Sequence, residues 1–225
     1  MRSHQTFSLR LVLLLLSLGS GRALAGEFTA EAKFQSAYLD RGLKAGEFTW
    51  FPSIEFAEND FYAGVWASLP LEKKGSPHFF SDEIDFYAGY GWAVADKWAV
   101  DLGGIHHKVP NGSATNEAYL GLFGELGTVS PSIYIYKDFD TEELFVEAAA
   151  TVAVPLQGFP FQATGRVGIL DGDLDYRYFG VDLVYPVELS RTSTLSLGLH
   201  YDDNDFGFGV PDSNLYGSAS IRLRF

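Results

Sequence analysis

Pairs of ionisable side chains in this sequence have a spacing that suits acid–base chemistry or metal binding. Glu83 and Asp85 are two residues apart, so both carboxylates point to the same face of a β-strand. Such a pair can transfer protons or bind a divalent cation. On the inner face of a pore, the same carboxylates would hydrate the lumen and pair with bases of other strands. This second interpretation is favoured.

Two acidic loops carry the oxygen ligands that calcium prefers. Asp171, Asp173 and Asp175 alternate as at the start of an EF-hand loop. The sixth position of that loop needs glycine and is Tyr176, so an EF-hand is excluded. The second loop, Asp202–Asp205, is also rich in oxygen ligands. Solvated acidic loops are favoured over weak divalent binding that bridges to lipopolysaccharide, and no metal site is predicted.

His106 and His107 raise the question of a hydrolase, in which a histidine activates a serine and an acid orients the histidine. Neighbouring residues of a strand point to opposite faces, so at most one of the two can serve a given site. No G-x-S-x-G nucleophile motif is present. We therefore predict no enzyme and no catalytic residue, and we expect His107 at the rim of the fold.

The segments that would position these groups alternate with the period of two typical of β-strands. In Asn214–Phe225, apolar residues occupy one parity and polar or basic residues the other. An apolar face that ends in a terminal aromatic residue is the pattern of a closing strand of an outer-membrane barrel. Twelve segments alternate in this way, and the first three are about Glu27–Arg41, Phe48–Phe56 and Phe61–Leu69.

The connections between these segments differ in length according to their order. The odd-numbered connections include the long loops Pro70–Ser81, Lys108–Thr115 and Asp202–Ser213, whereas tight turns at Asn59 and Gly127 are even-numbered. Bacterial outer-membrane barrels have an even number of strands, short periplasmic turns and longer extracellular loops. We predict an all-β fold: a transmembrane antiparallel β-barrel of about 12 strands over residues 26–225, with both termini periplasmic.

Residues 1–25 have the features of a secretory signal peptide. Arg2 and Arg10 provide the positive start, Leu11–Leu18 the apolar stretch, and Ala23–Ala25 an A-x-A cleavage site. The apolar run is too short to span about 30 Å of hydrocarbon as a helix. The chain contains no cysteine, so the fold must hold without disulfides or a lipid anchor on cysteine.

Charge and composition narrow the function classes. Removal of the signal peptide deletes three arginines and no acid, which takes the formal net charge from −13 to −16. Nucleic acid is therefore excluded as a partner, because its binding depends on basic contacts to phosphate. Aromatic residues make up 16% of the chain and glycines number 24, as expected for interface girdles and curved strands. A water-soluble barrel of lipocalin type is the alternative.

Charged side chains keep to the non-apolar parity, with Arg177 as the exception, because a charge facing lipid is costly. The predicted pore-lining residues are Lys33, Arg41, Glu55, Glu83, Asp85, Asp101, Glu117, Glu125, Glu147, Arg166, Asp182, Arg222 and Arg224. The inward aromatic residues are Tyr62, Trp66, Tyr87, Tyr119, Tyr134 and Tyr136. These rings either stack a ring-bearing solute such as a nucleoside or sugar, or fill a narrow lumen, and the second interpretation is favoured.

Three stretches resemble the TorF-type family of outer-membrane porins. They are Tyr38–Gly42, Phe61–Ser68 (Phe-Tyr-Ala-Gly-Val-Trp-Ala-Ser) and Glu83–Tyr90. The likeness is clearest between about Glu27 and Trp92. The resemblance implies a membrane barrel with pore activity, and it brings neither a substrate nor catalytic residues.

The predicted function is passive diffusion of small hydrophilic solutes or ions through a cation-biased channel in the outer membrane of a Gram-negative bacterium. Acids outnumber bases among the predicted lumen residues, which is the reason for the cation bias. A plugged structural or ligand-binding barrel is the alternative, and an outer-membrane hydrolase is less favoured. The expected partners are lipid, lipopolysaccharide, small solutes and, through the last strand ending in Phe225, the barrel-assembly machinery. No cofactor is predicted.

Overall fold

The fold is known from a computed structural model that describes residues 26–71, 82–109, 112–173, 175–207, 209 and 211–225. The predicted signal peptide, residues 1–25, lies outside these ranges. None of the described segments is a helix long and apolar enough to cross a membrane. The strands are β1 (Glu27–Asp40), β2 (Leu43–Glu58), β3 (Phe61–Pro70), β4 (Glu83–Ala95), β5 (Trp98–Lys108), β6 (Ala114–Gly124), β7 (Val129–Asp138), β8 (Leu144–Leu156), β9 (Phe159–Asp171), β10 (Tyr176–Ser190), β11 (Ser193–Asn204) and β12 (Ser213–Arg224).

Each strand pairs antiparallel with its neighbours in the sequence, and the sheet closes on itself between β1 and β12. The closing ladder runs from the Thr29–Arg224 pair to the Gln35–Ser218 pair. A closed sheet satisfies the backbone groups that an edge strand would leave unpaired. The predicted fold class, an antiparallel barrel of twelve strands, is confirmed.

The two ends of the barrel differ in their connections. All even-numbered connections are tight turns, such as Asn59–Asp60 between β2 and β3, and they share one end with the start of β1 and the end of β12. We call this the turn end and the opposite end the loop end. At the loop end, the first connection departs from the predicted pattern, because β2 begins at Leu43 instead of Phe48 and only Arg41–Gly42 separates β1 from β2.

The faces of the strands separate apolar from polar side chains. Large apolar residues point outward and are exposed, among them Phe86, Leu102, Leu120 and Val167. Carboxylates and tyrosines of the opposite parity point into the lumen and are buried. An apolar outer surface around a polar interior is the arrangement of a barrel whose wall faces lipid.

The tip of the β1–β2 hairpin leaves the barrel wall and folds into the lumen. The ladder between β1 and β12 stops at Gln35, and the ladder between β2 and β3 stops at Thr49. Between these points, residues 36–48 form a two-stranded segment that we call the inner hairpin, with a register shift between Tyr38 and Leu39 that allows the bend. Tyr38 and Leu39 point to opposite faces and are 0% and 5% exposed, so both faces of the inner hairpin are covered.

The outer surface generates a prediction about stability in lipid. Leu102 lies in the middle of β5 between Tyr90 and Leu120 on the outer face. Leu102→Arg should lower the free energy of unfolding from lipid vesicles by about 2–4 kcal/mol, because it places a charge at mid-bilayer depth. Leu189→Arg, near the turn end, should cost at most about 1 kcal/mol. Equal costs in urea titrations would contradict a lipid-facing wall.

Candidate functional site

The turn of the inner hairpin is fixed by contacts with strands on the far side of the lumen. Arg41 Nη2 donates to Glu117 Oε2 of β6 at 2.6 Å, and both side chains are buried. The guanidinium carbon lies 4.3 Å from the ring centroid of Phe145 on β8. Asn204 of β11 donates from Nδ2 to the Gly42 carbonyl at 3.1 Å. The inner hairpin therefore spans the barrel at its loop end.

The backbone of this turn requires glycine at one position. Arg41 and Gly42 both have positive φ angles, 44° and 81°. A side chain at Gly42 would be strained there and would also collide with the Tyr178 ring of β10. Behind the turn, Tyr38 packs edge-on against Phe51, with ring centroids 5.1 Å apart. Aromatic packing thus holds the base of the inner hairpin, while the Arg41–Glu117 ion pair holds its tip.

Two cavities extend from beneath the inner hairpin to the turn end. The larger, of about 680 Å³, is lined mainly by β1 and β7–β12, with single residues or pairs of β2, β3, β4 and β6, and the smaller, of about 330 Å³, lies against β2–β7. Neither lining includes Glu83, Glu117 or Asn204, which are buried closer to the loop end. The lumen is therefore accessible from the turn end and narrowed by packed side chains at the loop end.

The larger cavity is lined by bases, hydroxyl groups and the acids Glu31, Asp85, Asp182 and Glu188. Its bases are Lys33, Arg41, Arg166, Arg222 and Arg224. Arg166 is held by two acids: its Nε donates to Asp182 at 3.0 Å and its Nη1 lies 3.0 Å from Asp202. Gly180 stands between these partners in register, and a side chain there would collide with Arg166 and Asp202.

The smaller cavity is acidic and aromatic. Its described lining includes Glu55, Asp60 and Asp101 and contains neither lysine nor arginine. The Tyr62 hydroxyl donates to Asp101 at 2.9 Å, and the Tyr87 hydroxyl donates to Glu55 at 3.1 Å. Among the described lining residues, bases are thus confined to the larger cavity, whereas acids line both cavities.

Cross-strand glycines give the lumenal tyrosines their orientation. Five of these rings each lie over a glycine of the neighbouring strand, where a side chain would occupy the same space. The register pairs are Gly64–Tyr87, Gly89–Tyr62, Gly103–Tyr119, Gly121–Tyr134 and Gly168–Tyr178. The rings therefore lie along the wall instead of pointing across the lumen. This leaves the cavities open and brings the hydroxyls within reach of the acids.

The predicted carboxylate pair lies near the loop end together with a histidine. His107 Nδ1 is 2.9 Å from Asp85 Oδ1 and 3.8 Å from Glu83 Oε1, and all three side chains are at most 1% exposed. Two carboxylates and an imidazole at this spacing can coordinate a divalent cation. His107 was expected at the rim, but its side chain is buried inside the lumen.

The structure places the predicted lumen residues at three levels. Those lining a cavity are Lys33, Arg41, Glu55, Asp85, Asp101, Arg166, Asp182, Arg222 and Arg224, with Tyr62, Trp66, Tyr87, Tyr119, Tyr134 and Tyr136. Glu83, Glu117 and Glu147 are buried without lining either cavity. Glu125 is the exception, because it lies in the β6–β7 turn, where it is exposed and 3.2 Å from Lys97. Its predicted place in the pore lining is wrong, since β6 ends one residue earlier.

Lumenal residues that the prediction did not place in the lumen include Tyr178, His200, Tyr216, Ser218 and Asp202, which was assigned to an acidic loop but lies buried in β11. They have the polar parity, but nothing in a single strand indicates that they meet. His200 Nδ1 lies 2.6 Å from Asp182, His200 Nε2 lies 2.8 Å from Ser218, and Tyr216 donates to Asp202 at 2.9 Å. These contacts depend on the register of three strands.

Residues 22–210 match the model of a family described as bacterial protein of unknown function (Gcw_chp). The chain belongs to the Gcw_chp family. No curated protein matches the chain in sequence. The family description gives no activity, so an activity of this Gcw_chp protein has to be inferred from the residues of its lumen.

Solved structures of outer-membrane channels share the fold of this Gcw_chp protein. A KdgM porin superposes with a TM-score of 0.61 at 8% identity, covering 88% of this chain and 99% of the other. A NanC porin gives a TM-score of 0.57 at 12% identity, with coverage of 87% and 98%. An outer-membrane channel from Pseudomonas putida F1 gives 0.51 at 9% identity, with coverage of 94% and 100%. These likenesses show the barrel fold; the TorF-type resemblance stays a prediction.

The buried ion pair at the tip of the inner hairpin generates a prediction. Arg41→Leu should lower the free energy of unfolding in detergent micelles by about 3–5 kcal/mol, because it leaves the Glu117 carboxylate buried without its cation. Arg41→Leu combined with Glu117→Leu should recover most of that loss. Urea titrations followed by tryptophan fluorescence measure both changes. An Arg41→Leu protein as stable as the parent would show that the pair does not hold the hairpin.

Proposed function

We propose that this protein is an outer-membrane channel for passive diffusion of small hydrophilic solutes and ions, with a preference for cations. The observation that carries the proposal is a polar lumen inside a closed barrel whose outer surface is apolar. Fold likeness to the KdgM and NanC porins supports it. The two cavities, of about 680 and 330 Å³, provide the path from the turn end.

The orientation proposed for the barrel places the turn end and both termini in the periplasm. Short connections at the periplasmic side and longer ones outside are the usual arrangement of such barrels. The long β3–β4 and β11–β12 connections then face the lipopolysaccharide, which is the expected outer partner together with membrane lipid. The last strand, with Phe225 at its end, is the proposed contact with the barrel-assembly machinery.

The inner hairpin is the barrier that this channel has to pass. Its tip contacts β6, β8 and β11 near the loop end, so a solute that enters from the turn end meets packed side chains. In the proposed channel, the inner hairpin forms the constriction, and its displacement widens the path. The same observation supports the second candidate, a plugged structural or ligand-binding barrel. Conductance separates the two.

Cation preference follows from the distribution of pairs in the lumen. Arg41 and Arg166 are neutralised by buried acids. Glu55 and Asp101 have tyrosine hydroxyls as their hydrogen-bond partners, which leave their negative charge in place. A cavity whose described lining contains carboxylates and neither lysine nor arginine concentrates cations.

Shortening the inner hairpin should open the channel. Replacement of residues 37–47 by Asn-Gly would join Ser36 to Phe48 through a two-residue turn. The geometry suits such a turn, because Gln35 and Thr49 already pair in the ladder between β1 and β2. The shortened protein should show single-channel steps several-fold larger than those of the parent in a planar bilayer, because the segment that spans the lumen is gone.

A matched control is Gln157–Gly158 replaced by Asn-Gly, which changes a two-residue turn at the turn end with the same positive φ angles. Its conductance should equal that of the parent. If the shortened barrel is folded and heat-modifiable but silent, the channel proposal fails and the plugged barrel replaces it.

Neutralising the smaller cavity should weaken the cation preference. Glu55→Gln together with Asp101→Asn should lower the cation-to-anion permeability ratio by about twofold or more, because it removes the carboxylates that concentrate cations. Reversal potentials in a tenfold KCl gradient measure the ratio. Glu125→Gln is the matched control outside the lumen and should leave it unchanged. Anion preference in the parent protein would overturn the proposed bias.

A further inference from the structure

A serine, a histidine and an aspartate form a continuous hydrogen-bonded chain across three adjacent strands of the lumen. His200 on β11 lies between Asp182 on β10, 2.6 Å from its Nδ1, and Ser218 on β12, 2.8 Å from its Nε2. With Nδ1 protonated by its contact with the carboxylate, Nε2 is the acceptor for the serine hydroxyl proton. Nucleophilic serine sites use this connectivity.

Glycine and tyrosine neighbours fix the imidazole in this position. Gly198 is the cross-strand partner of Ser218, and a side chain at Gly198 would collide with both His200 Nε2 and Ser218 Oγ. The absence of that side chain lets the imidazole reach diagonally from one strand to the next. The ring of Tyr216 stacks on the imidazole, with centroids 4.9 Å apart and an angle of 18° between the planes.

Arg166 orients the acid of this chain. Its Nε and Nη2 bind the two carboxylate oxygens of Asp182 at 3.0 and 3.1 Å, a bidentate contact that fixes the plane of the carboxylate. One of those oxygens, Oδ1, is the atom that contacts His200 Nδ1. Asp182 and Arg166 are therefore positioning residues, while Ser218 and His200 face the space in which a reactant would lie.

The cavity beside Ser218 is suited to an anionic reactant. Ser218 and His200 line the larger cavity of about 680 Å³, which is accessible from the turn end. On the neighbouring strand β1, Lys33 is in register with Ser220 of β12, and Arg222 lies on the same face of β12 as Ser218. Lys33 interacts electrostatically with Glu31 and Asp182, and within the described ranges it forms no ion pair as short as 4.0 Å, so its ammonium group can reach a carboxylate or a developing oxyanion in the cavity.

We propose that Ser218, His200 and Asp182 form a hydrolytic site for small esters that carry a carboxylate. Ser218 Oγ attacks the ester carbonyl carbon as its proton passes to His200 Nε2. The tetrahedral intermediate expels the alkoxide, which takes that proton and leaves as an alcohol, so Ser218 is acylated. Water attacks the acyl group, giving a proton to His200 that returns to Ser218 Oγ as the carboxylic acid is released.

Covalent labelling tests the site directly. A fluorophosphonate probe applied to the purified full chain in detergent should label Ser218, with loss of fluoride, and mass spectrometry of the digested protein should locate the adduct. Ser218→Ala should abolish the label, and His200→Ala should slow it at least about 100-fold, the usual contribution of a general base. Ser190→Ala is the control, because Ser190 lies at the turn end and its hydroxyl contacts only hydroxyls and a backbone N–H in the described structure.

Two further measurements separate catalysis from a structural role. Turnover of 4-nitrophenyl hemisuccinate should exceed that of neutral 4-nitrophenyl butyrate and disappear in Ser218→Ala, while that variant stays a folded, heat-modifiable barrel. In Asp182→Asn, the Nδ1 proton signal of His200 in ¹⁵N-resolved NMR should be lost. An unlabelled Ser218 in the folded parent, or ester turnover that survives Ser218→Ala, would overturn the proposal whether or not the barrel conducts.

Discussion

Closure of the sheet between β1 and β12 is the constraint on which the other features depend. Closure pairs the backbone N–H and C=O groups at the edges of the first and last strands. It also gives the wall two faces, so that each side chain points either to the surroundings or into the lumen. Once the lumen is separated, its charges need partners inside it. The pairing of Arg166 with two aspartates and of Arg41 with Glu117 meets this need. Because the pairs are buried, removal of one partner would destabilise the fold by more than the intact pair stabilises it.

Space in the lumen is governed by glycine as much as by charge. Where a tyrosine faces a glycine of the adjacent strand, the ring can lie along the wall, and its hydroxyl meets an acid two strands away. The same device lets Arg166 cross over Gly180 and lets the imidazole of His200 cross over Gly198. Small residues at register positions therefore determine which polar groups meet, and the two cavities occupy the space that remains between the walls.

The alternation of single strands was enough to predict the barrel, its strand number and the inward parity of Asp101 or Arg166. It was not enough to predict the inner hairpin. In residues 43–47 only Leu43 and Ala45 alternate with Lys44 and Gly46, and this run is too short for a strand to be recognised. Contacts such as His200 with Ser218 also depend on the stagger between neighbouring strands, which the pattern of one strand does not contain. Glu125 was misplaced for a simpler reason: the exact end of a strand is not marked by alternation.

The position of the inner hairpin links the interior of the barrel to the order in which it is assembled. The hairpin belongs to β1, the strand that joins β12 at the seam, and the strands joined there are the most distant in the sequence. Contacts between distant segments carry the largest loop-closure entropy, so the seam is expected to form late in folding. The hairpin must then enter the lumen as the seam closes, since a completed wall would leave only the mouth for its entry. Entry of the inner hairpin into the lumen and pairing of β1 with β12 are therefore expected to occur in the same folding step.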